Sequence, residues 1–307
     1  MLSLEPEVLQ IGREGLIGED TAGLLAAQER REIVSIYPEV RTLAWLGVML
    51  IAGGVGVIVS KNLERIGPVV IASAIGVASL ACYGYCVRRR ASAIPHSLDD
   101  YVLLLGALLL SADLGYIEHQ FDVLGSEWPA HFLVLAIVHG ATAYFFGSAA
   151  LLSLSIAALA SWFGIERNVE TFFTDSLSTA LRAFACAGVV ALWRAANRRA
   201  AFELVFDHFI ANLAMWGGLI LTFRRETQEI GALVVLVFAA LAIAYGFRKR
   251  EQAFVIYAYV YAVAAVEVLA ISHLHGETVV LTYLVVSLIA AIAGLFAFHA
   301  RFRRSAA

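Results

Sequence analysis

An all-α, polytopic membrane bundle of about ten transmembrane helices is the fold this sequence predicts. Three observations carry it. The 307 residues are 61% hydrophobic and only 15% charged, with a mean hydropathy of +0.79. Soluble domains run at roughly 45–50% apolar, so this excess has to face lipid. The apolar residues are collected into segments of bilayer-spanning length, and Lys and Arg fall between those segments with a strong alternation.

Residues 1–40 come first and stand apart. "LEPEVLQIGREGLI" and "EDTAGLLAAQERREIVSIYPEV" each show helical apolar spacing. Gly15 and Gly18 punctuate between them, Asp20 suits an N-cap and Pro38 stops the second. A cytosolic helical hairpin is expected, lying on the membrane or binding a protein partner. Met1–Pro6 has neither the basic nor the apolar region of a cleavable signal, so the first apolar span is expected to serve as the targeting element.

A spanning helix needs about 20 mostly apolar residues. On that measure residues 41–307 hold spans at 42–60, 67–87, 99–118, 130–146, 148–164, 177–196, 204–223, 228–247, 252–273 and 278–299. The fourth and fifth are short, joined by little more than Gly147-Ser148, and form a tight hairpin if both cross fully.

Charge fixes the orientation. With the N-terminus inside, sixteen basic residues lie on the inner face: Arg13, Arg30, Arg31, Arg41, Arg88–Arg90, Arg194, Arg198, Arg199, Arg248–Arg250, Arg301, Arg303 and Arg304. Five lie outside: Lys61, Arg65, Arg167, Arg224 and Arg225. Merging spans four and five would reverse every later loop. Both termini are therefore expected in the cytoplasm. The stretch from Glu118 to Trp128, without Lys or Arg, falls on the outer face, with Trp128 and Pro129 opening the next helix.

Loops after residue 41 are too short for an extramembrane catalytic domain, and no phosphate loop, H-E-x-x-H or G-x-S-x-G motif occurs. A soluble-domain enzyme is excluded. "IAGGVGV" (Ile51–Val57) lies within the first span, and its Ala52-x-x-x-Gly56 spacing, like Ala290-x-x-x-Gly294, reads as close helix packing. Cys82, Cys86 and Cys186 sit in apolar segments and imply no disulfide or thiolate cluster. No basic patch points to nucleic acid, and the expected partner of most of the surface is the lipid bilayer.

The motifs "GLIGED" (Gly15–Asp20), "IEHQFDVLGSEW" (Ile117–Trp128) and "YFFGS" (Tyr144–Ser148) give the chain a family likeness over about residues 10–165. It resembles a bacterial family of predicted multipass membrane proteins of unknown function, which open with a cytosolic helix hairpin. Leu63 and Gly67 depart from the family pattern, which has Trp and Pro at those places. The resemblance implies a bacterial inner-membrane protein and transfers no catalytic residue.

Ionisable residues inside hydrocarbon cost about 2.5–3.5 kcal/mol on insertion scales and mark function by default. Asp113, His139, Arg182, Glu267 and the pair Asp207-His208 are the candidates. Asp113 lies about 8 Å below the outer surface at ~1.5 Å per residue. Arg182 and Glu267 reach similar depth, so Arg182 is expected to pair with Asp113, Glu267 or both, either as a static ion pair that fixes helix packing or as a binding or proton-handling layer. Gly106, Asp113, Tyr116 and Gln120 share a stripe expected to point inward.

His119, His131, His273 and His275 on the outer rim are weak metal candidates, coming from separate loops. His139 lacks an axial partner at its depth, so haem is not expected, and no cofactor is implied. Asp207 and His208, near an inner helix end, are read as hydrated. Three roles follow: a non-enzymatic scaffold or accessory subunit, first in rank; a small-solute or ion transporter, proton-coupled through the layer; and an intramembrane enzyme for lipid-linked substrates, with His119 or His131 in the catalytic place.

Overall fold

The computed structural model describes Gly18 and residues 42–51, 53–54, 57, 67–90, 97–127, 129–164 and 176–305. Among them ten α-helices and one 3-10 turn (Gly125–Glu127) account for the regular structure, with no strand. The chain is an all-α polytopic membrane protein. Two compact units divide it: residues 66–302, and residues 1–65 with 303–307. The expected N-terminal hairpin, apart from Gly18, lies outside the described residues, as do Ala52, Gly56, Leu63 and Trp128.

In the smaller unit, α1 (Thr42–Ile51) exposes Leu43, Leu46 and Leu50 and buries Val48, an apolar helix with a wet or lipid side. The larger unit holds α2 (Pro68–Arg90), α3 (Ser97–Phe121), α4 (Ala130–Phe146), α5 (Ala149–Trp162), α6 (Ser176–Ala196), α7 (Ala200–Thr222), α8 (Gln228–Lys249), α9 (Gln252–His273) and α10 (Glu277–Ser305). Seven helices, α2, α3 and α6–α10, are long and apolar enough to cross a membrane. α1, α4 and α5 are shorter. At ~1.5 Å per residue the 17 residues of α4 and the 14 of α5 reach only about 25 Å and 21 Å.

Neighbours in sequence pack as antiparallel pairs: α2 with α3, α4 with α5, α6 with α7, and α8 with α9. α7 is the hub, touching α5, α6, α8 and α9, and it is the most buried of the long helices. Its sequence allows this. Gly218 seats Val235 of α8, and Gly231 of α8 lies so close to α7 that a Cβ would come within 2.5 Å of the Thr222 nitrogen.

The α4–α5 connection turns on Gly147, at φ 77°, in the left-handed region that glycine takes without steric cost. Ser148 then caps α5 by accepting from the Leu151 amide. Leu151, Leu152 and Ile156 of α5 are wholly buried, and with Ala143, Cys186, Val190, Phe202 and Phe206 they make one apolar core across α3–α7. α10 is the opposite case: Leu281, Val285, Leu288, Ile292 and Phe296 stand exposed on it as a lipid face. It docks on α9 through Gly294, which receives the Tyr259 hydroxyl, itself donating to the Ala291 carbonyl at 2.9 Å. The close helix packing expected at Ala290-x-x-x-Gly294 is not found: a tyrosine hydroxyl meets Gly294, Ala290 faces outward, and α10 makes no close backbone approach.

One end of the bundle is basic. Arg90 of α2 lies over the Phe145 ring at 4.2 Å, Arg199 reaches the Gly147 turn and the Tyr144 ring, and Lys249 sits 6.0 Å from the Tyr245 centroid.

Candidate functional sites around the hub helix

Depth alone placed Asp113, Arg182 and Glu267 together, and the packing does not gather them. α3 packs against α2, α4 and α5; α6 against α5 and α7; α9 against α7 and α8. Thr179, Ala180, Ala183, Cys186, Ala187 and Val190 make the buried face of α6. Arg182 lies off that face and is exposed. Among the described residues it makes no ion pair with either acid.

Asp113 is buried against α2 instead. Its Oδ2 occupies the space where a Gly76 Cβ would lie, 2.9 Å away, so Gly76 is what admits the carboxyl group. Its Oδ1 has no hydrogen-bond partner, and neither has the hydroxyl of half-buried Tyr116. Gln120, a turn further on, is exposed. The stripe of Gly106, Asp113, Tyr116 and Gln120 thus starts inward, with Gly106 tight on Cys82, and ends outside. Glu267 is half-buried with Tyr283 of α10 beside it, and its Oε2 is without a partner.

The rim histidines separate. His119 and His275 are exposed. His131 is buried beside the Phe132 ring, with centroids 3.9 Å apart. His273 turns back on its own helix, Nδ1 lying 2.8 Å from the Leu269 carbonyl. No group of three or more His, Cys, Asp or Glu is arranged to hold a metal among the described residues.

His139 finds its partner on a neighbouring helix. Its Nε2 lies 2.8 Å from the Ser111 hydroxyl, which itself donates to the Ala107 carbonyl at 3.0 Å. The hydroxyl proton being spent there, Nε2 is the donor and the bare Nδ1, without a partner, is the acceptor. An under-used acceptor is the cheaper of the two to bury, and the contact ties α3 to α4.

The densest polar cluster surrounds the first half of α7. Arg194, in the last turn of α6, donates through Nε to Asp207 Oδ1 at 3.2 Å and through a terminal nitrogen to Glu203 Oε2 at 2.9 Å. Tyr245 of α8 donates to Asp207 Oδ2 at 2.5 Å. Glu203 and Asp207 are four residues apart, on one helix face, and the three-residue α6–α7 turn brings Arg194 opposite both. That turn is set by Asn197, whose side chain accepts from the Arg199 amide and donates to its carbonyl, while its Oδ1 also receives the Tyr144 hydroxyl. His208 faces the other way. It stacks on Phe254, with centroids 4.3 Å apart, and its Nδ1 lies 3.0 Å from the Tyr257 hydroxyl of α9. Asp207 is therefore not simply hydrated, and the i,i+4 acids opposite a helix-terminal Arg were the signal for it.

Two cavities flank α7 on nearly opposite faces. The first, about 340 Å³, lies between α5, α7 and α9, with Ser161, Asn212, Trp216 and Tyr261 as its polar lining. Asn212 is twelve residues into α7, about 18 Å along its axis at ~1.5 Å per residue, which is mid-membrane depth. Its amide spends one N–H on the His208 carbonyl, leaving its carbonyl oxygen to the cavity. The second, about 350 Å³, is an apolar groove of α7, α8 and the start of α9 that ends at Asp207 and Tyr245. Neither lining includes Asp113, Arg182 or Glu267.

Comparison with known proteins agrees with the membrane architecture. No curated protein and no solved structure matches the chain. Residues 12–152 match the model of the family described as "Predicted membrane protein (DUF2157)". That segment takes in α1–α4 and the opening of α5, and stops short of the hub. Over residues 12–152, a little under half of its length, the chain is similar to the DUF2157 predicted membrane proteins.

Proposed function

We propose that this membrane protein handles a small solute inside the bilayer, in a transport-type role, with the cavity between α5, α7 and α9 as the binding place. The single observation that carries the reading is that cavity: mid-membrane, of ligand size, and lined by an amide, two hydroxyls and an indole. Its lining holds no charged side chain, so the solute is neutral at the point of contact and is held by hydrogen bonds to Asn212 and Tyr261. Toward the basic end two separate polar groups follow, His208 with Tyr257 and then Asp207 with Arg194, a ladder for protons only if water bridges the gap between them. Proton coupling belongs on that ladder rather than on a layer of Asp113, Arg182 and Glu267.

The scaffold reading keeps one observation in its favour: the apolar core of α3–α7 is closed around wholly buried Leu151, Leu152 and Ile156. It leaves the mid-membrane cavity unexplained. An enzyme acting through His119 or His131 draws no support from either cavity. The proposed setting is the bacterial inner membrane with both termini cytoplasmic, supported by the uneven spread of Lys and Arg along the chain and by the family likeness.

Thiol accessibility tests the reading. With Cys82, Cys86 and Cys186 replaced by Ala, Asn212→Cys and Ser161→Cys proteins in sealed vesicles are exposed to a charged, membrane-impermeant methanethiosulfonate. Reaction at least tenfold faster than at Ala143→Cys, a fully buried core position, is the expected result. If Asn212→Cys reacts no faster than Ala143→Cys from either side, water does not reach the cavity and the transport reading is lost.

A further inference from the structure

The apolar groove lies on the face of α7 turned away from the solute cavity. Its walls are Ile210 and Ala211 of α7 and Phe238 and Leu241 of α8, and Asp207 and Tyr245 close one end. Leu241 is 60% exposed, on the outside of the bundle, so the groove opens toward the acyl region of the bilayer. Water is absent at that depth, and what fills an open apolar groove there is a lipid chain. The polar end lies at headgroup level, beside the ends of α6 and α8, where Arg194 and Lys249 stand.

Charge at that end selects the headgroup. Asp207 accepts one hydrogen bond on each oxygen, from Arg194 and from Tyr245. A carboxylate offers about four acceptor sites, so two stay open. Glu203, one turn away on the same face, shares the single guanidinium of Arg194, leaving this trio with one negative charge in excess. A few ångströms outward the sign changes. Arg248, Lys249 and Arg250 are exposed and form no ion pair among the described residues. A ligand matching these charges carries an apolar chain, a phosphate held outward near Lys249, and a primary ammonium on a linker that folds back to Asp207 and Glu203.

We propose that the α7–α8 groove is a binding site for an aminophospholipid of the phosphatidylethanolamine class, with one acyl chain along Ile210, Phe238 and Leu241 and its ammonium on Asp207. A quaternary choline has no N–H to give to the open carboxylate sites, and an anionic phosphatidylglycerol meets the negative trio. The site is independent of the solute cavity, whose residues it does not share.

Native mass spectrometry of the full-length protein in detergent, with equimolar dioleoyl phosphatidylethanolamine, phosphatidylcholine and phosphatidylglycerol, tests it. The ethanolamine adduct should exceed each of the others at least fivefold. Leu241→Trp, which blocks the groove from a lipid-facing position, should lower that adduct at least fivefold. Asp207→Asn should keep lipid bound but level ethanolamine with choline. Equal or greater choline or glycerol adducts on the wild type overturn the proposal. So does an unchanged adduct in Leu241→Trp, and an ethanolamine preference that survives Asp207→Asn removes the carboxylate from the headgroup's recognition.

Discussion

The α2–α4 region and the surroundings of α7 treat buried polarity in opposite ways. In the first, several polar atoms are enclosed alone: Asp113 Oδ1, the Tyr116 hydroxyl and the His139 Nδ1 lack hydrogen-bond partners in tight packing. In the second they are paired. Arg194, Glu203, Asp207 and Tyr245 form one network, His208 and Tyr257 another, and both border open cavities. Isolated polar groups in a closed core cost stability and mark places where a neighbour's small residue, such as Gly76, makes room. Paired groups beside a cavity are already satisfied, so they can exchange a protein partner for a ligand. The family match ends at residue 152, before the paired region begins.

The comparison can be broken by substitution, the largest expected effect being at the hub. Gly231→Leu forces a side chain into the backbone of α7 at Thr222 and Leu221. Overpacking of that kind costs about 3 kcal/mol or more, and loss of the monodisperse peak in detergent size-exclusion chromatography is expected. A normal peak with an unchanged melting temperature would show that α7 and α8 do not meet as described.

Next comes a matched pair. Asp207→Asn removes the charge that Arg194 and Tyr245 hold, a loss of about 1–2 kcal/mol for charge-assisted bonds, read as a fall of roughly 3–6 °C in thermal midpoint. Asp113→Asn takes away a carboxyl group that has no cationic partner, so its midpoint should stay level or rise. The reverse order of the two would mean that the orphaned acid is the structural one and the contrast fails.

The smallest effect is expected at Arg182→Gln. An exposed side chain without an ion pair to Asp113 or Glu267 should shift stability by no more than about 0.5 kcal/mol. If this variant falls as far as Asp207→Asn, the outer layer of Asp113, Arg182 and Glu267 exists after all.

Helix positions were legible in the sequence because hydropathy depends on the chain alone. The spans read at 130–146 and 252–273 coincide with α4 and α9, and the Gly147-Ser148 hairpin is where the turn residues put it. Site residues were less legible, for a geometric reason. Counting residues from a helix end gives depth, one coordinate of three. Asp113, Arg182 and Glu267 share a depth, but the azimuth of each follows from which helices pack beside it. For α6 the small-residue face Ala180, Ala183, Cys186, Ala187 carried that azimuth and turns Arg182 outward. The contact of Ser111 with His139, between helices joined only by packing, left no local signal at all.

The short hairpin of α4 and α5 has an electrical consequence. Its helices reach about 25 Å and 21 Å, against a hydrocarbon thickness of about 30 Å. A bilayer spanned by this hairpin, with Val134 and Ile137 exposed on α4, would thin to match, because exposing the turn's backbone to hydrocarbon costs more than deforming the sheet of lipid. A membrane voltage then drops over a shorter path, and the local field is steeper by roughly 20–40%. Arg199, held at the Gly147 turn, stands at the edge of that compressed field.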